Sequence, residues 1–343
     1  MLITDFDFEL PDSLIAQEPL KNREKSRMLV VNRAANSYTN DHFYNFPKFL
    51  KKDDVVVLNN TKVFPARLFG ASETGAHIEL FLVRETEPEV WETLARPARR
   101  LKTGKKILFG ENLQAEVLGK TEEGRVFVRF ETNGDFDEIL EKIGKTPLPP
   151  YIKRDAGDLD KDRERYQTVF AREKGAIAAP TAGLHFTPRI LDEIKTAGSL
   201  LTEITLHVGY GTFEPVRVND LSEHQVLPEN YEISAETAET LNQAKAENRR
   251  IVAVGTTTTR ALESNISKHE KFAAGKNLAD LTITPRYKFK AIDALLTNFH
   301  LPQSSLLVLV STFGGHELIM EAYKHAVRQK YRFYSYGDCM LIF

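Results

Sequence analysis

The sequence predicts an α/β protein in which a larger α/β domain carries a small antiparallel β-barrel as an insertion. Short alternating apolar runs, separated by turn residues, fill residues 63–131, which is typical of a small barrel or sandwich. An apolar run at 54–58 precedes them, and alternating strand and helix patterns follow them, as in an α/β sheet. We therefore expect the α/β domain at residues 1–64 and 151–343 and the barrel at residues 65–150.

The elements before residue 152 follow from local pattern. The run "DVVVL" predicts a strand buried on both faces, because apolar residues do not alternate with polar ones in it. The segment "PLPPYI" at 147–152 is expected to be a return linker that its prolines stiffen. Between them we expect six barrel strands: "ARLFGA", "HIELFLV", "VWETLAR", "KILFG", "LQAEVLG" and "RVFVRFE".

Strands alternate with helices after the barrel. The strand "GAIAAPT" leads to the helix "TPRILDEIKTAG", and the strand "SLLTEITLHVG" follows. The next helix, "SAETAETLNQAKAENRR", has Ser234 as a suitable N-cap and Glu236 in its first turn. The strand "IVAVG" and a further helix then complete an α/β pattern.

Composition excludes several classes of protein. The 343 residues are 42% hydrophobic and 27% charged with a net charge of −2, as in a soluble globular protein without an overall cationic surface. The apolar run Leu306–Val310 is too short to span a bilayer, and the acidic start lacks a basic signal region. One cysteine, Cys339, excludes an intramolecular disulfide and a cysteine-cluster metal site. We expect a cytoplasmic protein without a membrane segment or a metal.

Two local patches are basic. Six basic residues and no acidic ones lie in Arg96–Lys106, and basic residues alternate with aromatic ones in Tyr323–Gly337. Such patches can neutralise phosphates and stack on bases. A solvated hairpin and a solvated helix face would give the same two patterns, so both interpretations stay open.

Four loops are expected where strands end and helices begin, the edge at which open α/β sheets bind ligands. In the first, small residues around Thr181 and Gly183 would let backbone amides approach a ligand. His185 in the same loop could act as an acid or base near neutral pH. A core histidine satisfied by the backbone would give the same pattern.

The second loop contains Gly209 and Gly211 but lacks the third glycine of a dinucleotide-binding fingerprint. It could be a tight turn that admits the flat face of a ligand, or a plain β-bulge.

The third and fourth loops carry further polar groups. Thr256, Thr257 and Arg260 at a helix start suit a carboxylate or phosphate, although a capped helix with a surface arginine is the alternative. Asn298 and His300 could hydrogen-bond a purine edge, or could stabilise a turn. The residues alone indicate an α/β enzyme with a polar pocket built from several loops, and they do not identify the reaction.

The chain resembles the family of S-adenosylmethionine:tRNA ribosyltransferase-isomerases of queuosine biosynthesis. The matching strings run in order along essentially the whole chain: "DFELPDSLIAQEPL", "LNNTKVFPARL", "ARPARRLKTG", "PLPPYIKR", "AAPTAGLHFT", "HVGYGTFEPV", "VGTTTTRALE", "TNFHLPQSSLLVLVSTF" and "YRFYSYGDCMLI".

The resemblance implies a reaction and its partners. S-adenosylmethionine, consumed as a cosubstrate, would give its ribosyl unit to 7-aminomethyl-7-deazaguanine at the tRNA wobble position. Isomerisation of the ribose would yield epoxyqueuosine, with release of adenine and methionine. The family fold is an α/β domain with an inserted barrel. The family works without metal, and we expect a monomer with no obligate protein partner.

The resemblance also implies site residues, with His185 as the first candidate for proton abstraction. The catalytic candidates are His185, His224 and Glu229. The candidates for binding S-adenosylmethionine are Thr181, Gly183, His207, Gly209, Tyr210, Gly211, Thr256, Thr257, Arg260, Asn298 and His300. The candidates for binding tRNA are Arg67, Arg96, Arg99, Arg100, Lys102 and Arg332.

Three positions depart from the family pattern. Leu227 stands where family members often have a second histidine after "EH", so an acid–base role in this segment falls to His224 or Glu229. Arg286 and Ala294 stand where glycine is usual, and the nearby tryptophan is missing.

Two other functions fit parts of the pattern. A conventional RNA methyltransferase would use the same donor but release S-adenosylhomocysteine. A non-enzymatic tRNA-binding protein would use the barrel alone and would have no role for four polar loops. Release of free adenine distinguishes the ribosyl transfer from both.

Overall fold

The structure, a computed structural model, describes residues 1–154, 162–213 and 216–343. The strands are β1 (Arg27–Asn32), β2 (Ser37–His42), β3 (Val55–Asn59), β4 (Thr61–Val63), β5 (Arg67–Ser72), β6 (His77–Glu87), β7 (Val90–Arg96), β8 (Lys106–Leu108), β9 (Leu113–Lys120), β10 (Val126–Thr132), β11 (Glu173–Ala176), β12 (Leu200–Leu206), β13 (Glu229–Ile233), β14 (Ile251–Val254), β15 (Gly275–Ala279), β16 (Ala294–Asn298) and β17 (Cys339–Ile342).

The α-helices are α1 (Phe136–Ile143), α2 (Asp162–Arg165), α3 (Pro188–Thr196), α4 (Ala235–Ala246), α5 (Thr256–His269), α6 (Ser305–Gly314) and α7 (His316–Arg328). Short 3₁₀ helices lie at Ile3–Phe6, Asp12–Leu14, Arg23–Lys25, Phe43–Phe49, Ala98–Arg100, Thr181–His185, Tyr210–Phe213 and Leu221–Glu223.

The main sheet has nine strands in the order β15-β13-β12-β3-β14-β16-β17-β1-β2. Its centre, β12-β3-β14-β16, is parallel, and antiparallel strands extend it on both sides. In β3, Val55 and Val57 pack with α4 to α7, whereas Val56 and Leu58 pack with α3 on the other face. This strand is therefore buried on both faces, as its apolar run predicts.

Side-chain caps fix where two of the covering helices begin. The hydroxyl of Thr187 accepts a hydrogen bond from the backbone N–H of Ile190 at the start of α3. Ser234, the predicted N-cap, accepts one from the N–H of Thr237 at the start of α4. Each cap satisfies an N–H group that the helix itself leaves unpaired.

The barrel is closed by six antiparallel strands in the order β10-β7-β6-β5-β8-β9. Each of the six predicted strands corresponds to one of them, and alternate apolar residues such as Leu68, Leu80 and Val128 fill the interior. Helix α1 packs Ile139 and Leu140 against the same core. The α/β fold class with an inserted antiparallel barrel is confirmed, and the domain boundaries at 64/65 and 150/151 stay a prediction.

The two ends of the barrel segment meet at a small parallel pair, β4 with β11. Leu148 and Ile152 of the returning segment are buried in the core of the main sheet. The barrel is thus held against the edge of the sheet where the predicted loops lie.

Four of the five aromatic residues of the second basic patch do not face solvent. Tyr323, Tyr331, Phe333 and Tyr336 are buried in the main core, because the segment after α7 runs into β17 inside the sheet. These rings therefore pack in the interior, which corrects the expectation that they could stack on bases. Within the described ranges, no helix combines the length and apolar character needed to cross a membrane.

Candidate functional site

A cavity of about 510 Å³ lies at the carboxyl edge of the parallel strands, and we call it the sheet-edge cavity. All four predicted loops line it, through Thr181, Gly211, Thr257 and Asn298 among others. Three of them come together because β12, β14 and β16 end at this edge. The first loop follows β11, which pairs with β4 directly after β3.

The start of helix α5 faces the sheet-edge cavity. Gly255 precedes it with φ of 94° and gives no side-chain cap, so the first N–H groups have no partner inside the helix. The hydroxyl of Thr257 is buried without a hydrogen-bond partner among the described residues. These groups and the positive end of the helix dipole favour an anion at this point of the wall.

Asn298 is held in one orientation. Its Nδ2 donates to the carbonyl of Tyr334 at 2.9 Å, while its buried Oδ1 has no partner in the part of the chain that the structure describes. The side chain lines the cavity, so this oxygen can accept a hydrogen bond from a ligand's N–H or O–H group.

Two tyrosines in the cavity wall were missed by the sequence reasoning. The rings of Tyr151 and Tyr334 lie 3.9 Å apart, and Tyr151 shares a hydrogen bond with Ser335 at 2.6 Å. Tyr334 has φ of 73°, an uncommon backbone conformation for a bulky residue. Both tyrosines lie in strings that carry the family resemblance, which was the available signal, but nothing local in the sequence shows that their rings meet.

Glu229 and Arg260 form a buried ion pair in the cavity wall, with 2.7 Å between Oε2 and Nη1. The remaining nitrogens of Arg260 donate to the backbone carbonyls of Leu227, Ala279 and Leu281. Its guanidinium is thus engaged within the protein, which corrects the expectation that Arg260 offers an open anion site.

His224 and His300 both line the cavity. Nε2 of His224 lies 2.7 Å from the hydroxyl of Ser305, and Nε2 of His300 lies 2.8 Å from that of Thr297. Burial lowers the pKa of His224, and it lowers the pKa of His300 to about 3. Both rings are therefore neutral at pH 7.

His185 lies behind the cavity wall rather than on it. The ring is buried, its Nδ1 is 2.6 Å from the hydroxyl of Ser26, and it packs against Phe43. Burial lowers the pKa of His185 to about 4, and the neighbouring side chain of Asn298 opposes that shift. Nε2 of the ring has no hydrogen-bond partner among the described residues. His185 thus lies next to the cavity residue Asn298, which sequence reasoning could not show.

Two other predicted residues face away from the sheet-edge cavity. A side chain at Gly183 would come within 2.8 Å of Thr168 and Phe170, so this glycine serves close packing. His207 bonds the hydroxyl of Thr61 at 2.8 Å and covers Gly175.

Residues of the second predicted loop lie at two different cavities. The N–H of Gly209 donates to Oε1 of Glu229, and Gly211 lines the sheet-edge cavity. Tyr210, between them, lines a different cavity. Glu214 and Pro215 of this loop lie outside the described residues.

The second cavity, of about 480 Å³, lies between the outer face of the barrel and the returning segment, and we call it the barrel-side cavity. Arg67, Arg96, Phe81 and Tyr210 line it. Arg67 pairs with Glu79 at 2.5 Å, whereas the exposed Arg96 pairs with no carboxylate in the described ranges. Both cavities reach Pro150.

The other predicted tRNA-binding residues are spread over two surfaces. Arg99, Arg100 and Lys102 are exposed on the turn that follows β7, next to Arg96 at the barrel-side cavity. Arg332 lines neither cavity and bonds the carbonyl of Glu18.

The structure shows the surroundings of the three departures from the family pattern. Leu227 is 45% exposed and covers Gly211, where an added side chain would come within 2.9 Å of it. Arg286 has φ of 78°, a conformation that glycine adopts readily, which explains why glycine is usual there. Ala294 is buried in β16.

No group of three histidine, cysteine, aspartate or glutamate side chains that could hold a metal occurs within residues 1–154, 162–213 and 216–343.

Comparison with known proteins gives a consistent result. The sequence model of the family described as "Queuosine biosynthesis protein" matches residues 3–342. The chain is 48% identical, over all of both sequences, to the S-adenosylmethionine:tRNA ribosyltransferase-isomerase of Syntrophotalea carbinolica. The value is 49% for the enzyme of that name from Moorella thermoacetica, again over all of both sequences.

A solved structure agrees with the sequence comparisons. The crystal structure of an S-adenosylmethionine tRNA ribosyltransferase from Thermotoga maritima matches with a TM-score of 0.56 and 36% identity. The match covers 99% of this chain and all of that one.

Proposed function

The chain belongs to the family of queuosine biosynthesis proteins, and we propose that it is the enzyme that transfers and isomerises the ribosyl unit of S-adenosylmethionine onto tRNA. The acceptor is 7-aminomethyl-7-deazaguanine at the wobble position, and the products are epoxyqueuosine in the tRNA, adenine and methionine. The names of the relatives support ribosyl transfer and support neither methyl transfer nor RNA binding alone.

One observation carries the proposal: four separate loops meet at a cavity whose buried polar atoms lack partners among the described residues. The atoms are Oγ1 of Thr257, Oδ1 of Asn298 and the hydroxyl of Tyr334. A buried polar atom without a partner costs roughly 1–3 kcal/mol, so a ligand that hydrogen-bonds to these atoms is favoured. S-adenosylmethionine has polar groups at both ends and in its ribose.

The carboxylate of the methionine moiety binds at the start of α5. The N–H groups of the first turn and the hydroxyl of Thr257 are donors there, and the helix dipole favours negative charge. Arg260 supports this wall from behind through Glu229.

The adenine binds beside Asn298 and His300, and the sulfonium lies near the rings of Tyr151 and Tyr334. The Oδ1 of Asn298 accepts from the exocyclic amine of adenine, and aromatic faces attract a sulfonium as they attract other cations.

A neutral histidine removes the acidic proton next to the sulfonium. His224 suits this role because it lines the cavity, and because its pKa is lowered by burial. A ring that donates Nε2–H to Ser305 keeps its lone pair on Nδ1, where it can accept the proton. His185 acts as a positioning residue, since it reaches the cavity only through Asn298.

The tRNA approaches from the barrel. Arg67, Arg96, Arg99, Arg100 and Lys102 form a basic surface beside the barrel-side cavity that would hold the backbone of the anticodon arm. Arg332, outside both cavities, would contact the same arm farther from the modified base. Cytoplasmic location, a monomeric state and activity without metal stay predictions.

The decisive experiment follows free adenine. The protein is incubated with S-adenosylmethionine and tRNA that carries the aminomethyl precursor, and we expect adenine to appear together with the mass gain of one isomerised ribosyl unit on the tRNA. Formation of S-adenosylhomocysteine with methylated tRNA would instead identify a methyltransferase. Absence of both products would contradict enzymatic action on this substrate.

Replacing His224 by asparagine distinguishes the proposed role of His224 as the base from that of His185 as a positioning residue. We expect His224→Asn to lower kcat by roughly 10²- to 10⁴-fold with little change in the affinity for S-adenosylmethionine. In the unaltered enzyme kcat should fall as the pH drops below 6.5 and the base takes up a proton. His185→Asn should lower kcat less and should keep this pH dependence. The opposite order of the two effects would make His185 the base.

A further inference from the structure

The barrel-side cavity combines aromatic rings with basic groups. Phe81 on β6 and Tyr210 lie with their ring centroids 6.2 Å apart at an angle of 69°, and both rings line the cavity. The guanidinium of Arg125 lies 5.4 Å from the ring of Tyr210. Two nearly perpendicular rings can hold a flat group against one face and meet it with the edge of the other.

The charges around these rings are suited to a phosphodiester. Arg96 and Lys153 are exposed at the cavity, and in the described ranges neither forms an ion pair with a carboxylate. Arg67, although paired with Glu79, adds a further cation to the wall. Aromatic rings inside a basic groove are the common means of holding unpaired nucleotides.

The position of Tyr210 links this cavity to the sheet-edge cavity. Its ring faces the barrel-side cavity, while the next residue, Gly211, lines the sheet-edge cavity. Pro150 contributes to both walls. Two consecutive nucleotides that diverge at this wall would place one base in each cavity.

We propose that the barrel-side cavity is a binding site for one unpaired nucleotide of the anticodon loop, adjacent to the nucleotide that is modified. Its base packs against the surface that the rings of Tyr210 and Phe81 present to the cavity, and the phosphate that joins it to the modified nucleotide lies near Arg96. This assignment moves Tyr210 from the adenosine site, where the sequence had put it, to the RNA site. The inference rests on the proposed function, because it requires the modified base to enter the sheet-edge cavity.

The test uses RNA stem-loops of the anticodon arm and measures their dissociation constants without S-adenosylmethionine. Three RNAs are compared: the intact stem-loop and two that lack the base on one or the other side of the wobble nucleotide. With the unaltered protein, we expect one abasic RNA to bind about 5- to 100-fold more weakly than the intact one, which is the usual contribution of one stacked base.

The protein variants identify where that base binds. Tyr210→Ala should weaken binding of the intact stem-loop by a similar factor. One abasic RNA is expected to bind the unaltered protein more weakly than the intact stem-loop, and for that RNA Tyr210→Ala should cause no further loss of affinity. Leu108→Ala is the matched control, since Leu108 is 42% exposed on strand β8 of the same barrel but lines neither cavity. We expect Leu108→Ala to change the affinity less than twofold.

Several results would overturn the inference. They are equal binding of all three RNAs by the unaltered protein, unchanged affinity of Tyr210→Ala, or a loss confined to Leu108→Ala. If Tyr210→Ala does not fold, Phe81→Ala tests the other ring of the same site. Adenine release by the unaltered protein tests the proposed function separately. If adenine is released while Tyr210→Ala binds RNA normally, only the nucleotide site is wrong.

Discussion

The two cavities of this molecule differ in how their polar groups are held. In the sheet-edge cavity, the charged pair Glu229 and Arg260 is buried, and the histidines are neutral. In the barrel-side cavity, Arg96 and Lys153 stand exposed, and Arg67 with Glu79 is only partly buried. One cavity has buried donors and acceptors in its wall, and the other has exposed charges beside aromatic rings.

This difference indicates two kinds of ligand. Fixed and partly unsatisfied polar atoms select a small molecule by its shape and hydrogen bonds. Exposed cations attract a polyanion with little geometric selectivity and with strong dependence on salt. The sheet-edge cavity therefore suits the sulfonium donor and the reacting base, and the barrel-side cavity suits the RNA that delivers that base.

The largest effect should come from removing one charge of the buried pair. Glu229→Gln leaves the guanidinium of Arg260 without its carboxylate partner, and we expect the free energy of unfolding to fall by roughly 3–5 kcal/mol. Urea unfolding of the purified chain measures this. Where the variant is folded, affinity for the anticodon stem-loop should persist, because neither residue of the pair lines the barrel-side cavity and the glutamine oxygen can still accept from the N–H of Gly209.

A control lies on the same strand. Glu232 and Lys276 form an exposed pair at 3.9 Å on β13 and β15, so Glu232→Gln should change stability by less than about 1 kcal/mol. Equal losses from the two variants would show that the wall of the sheet-edge cavity is not stabilised by its buried pair.

A smaller effect is expected at the start of α5. Thr257→Val keeps the shape of the side chain but removes the unpaired hydroxyl. Loss of a hydrogen bond to a charged group costs roughly 1.5–3 kcal/mol, so the dissociation constant for S-adenosylmethionine should rise about 10- to 100-fold. Calorimetry without tRNA measures it.

The affinity of Thr257→Val for the stem-loop should not change. Thr196→Val is the matched control, because its hydroxyl bonds the carbonyl of Asp192 in α3 and is exposed. If Thr257→Val lowered the affinity for the stem-loop and left the affinity for S-adenosylmethionine unchanged, the assignment of ligands to the two cavities would be reversed.

The most gradual effect is expected on stability as a function of pH. The pKa values of His185 and His300 are lowered by burial from 6.5 to about 4 and about 3. Between pH 6.5 and 4 the unfolded chain takes up these protons and the folded chain does not. Stability should therefore fall as the pH decreases, by up to roughly 1.4 kcal/mol per pH unit for each ring.

Variants locate this pH effect. His185→Asn should make the fall in unfolding free energy less steep, whereas substitution of the exposed His77 on the barrel should leave the slope unchanged. If the unfolding free energy depended on pH equally in the unaltered protein and in both variants, the folded chain would accept the proton at His185 without loss of stability.

The sequence predicted the parts of this molecule that depend on local pattern. The barrel strands were recognisable because inward residues such as Leu68 and Leu80 alternate with outward ones. The four loops could be predicted to meet because parallel strands end at one edge, and Thr257 and Asn298 do line one cavity.

The parts that depend on distant partners could not be predicted. The direction of Arg260 is set by Glu229, 31 residues earlier on β13. The burial of Tyr331 and Phe333 follows from the place of β17 between β16 and β1. That His185 lies behind Asn298, rather than on the cavity wall, follows from packing against Phe43 and Ser26. None of these partners is near in sequence.

The pairing of β1 with β17 has a consequence for the order of folding. It joins Met28 to Cys339 and holds the hairpin β1-β2 to the rest of the main sheet. The barrel instead closes within residues 67–132, mainly through neighbouring hairpins. Because distant pairings require closing a longer loop, we expect the barrel to form first during folding and the main sheet to complete last. The barrel face of the proposed RNA site, with Arg67, Phe81 and Arg96, would then exist before Tyr210 and the sheet-edge cavity are in place.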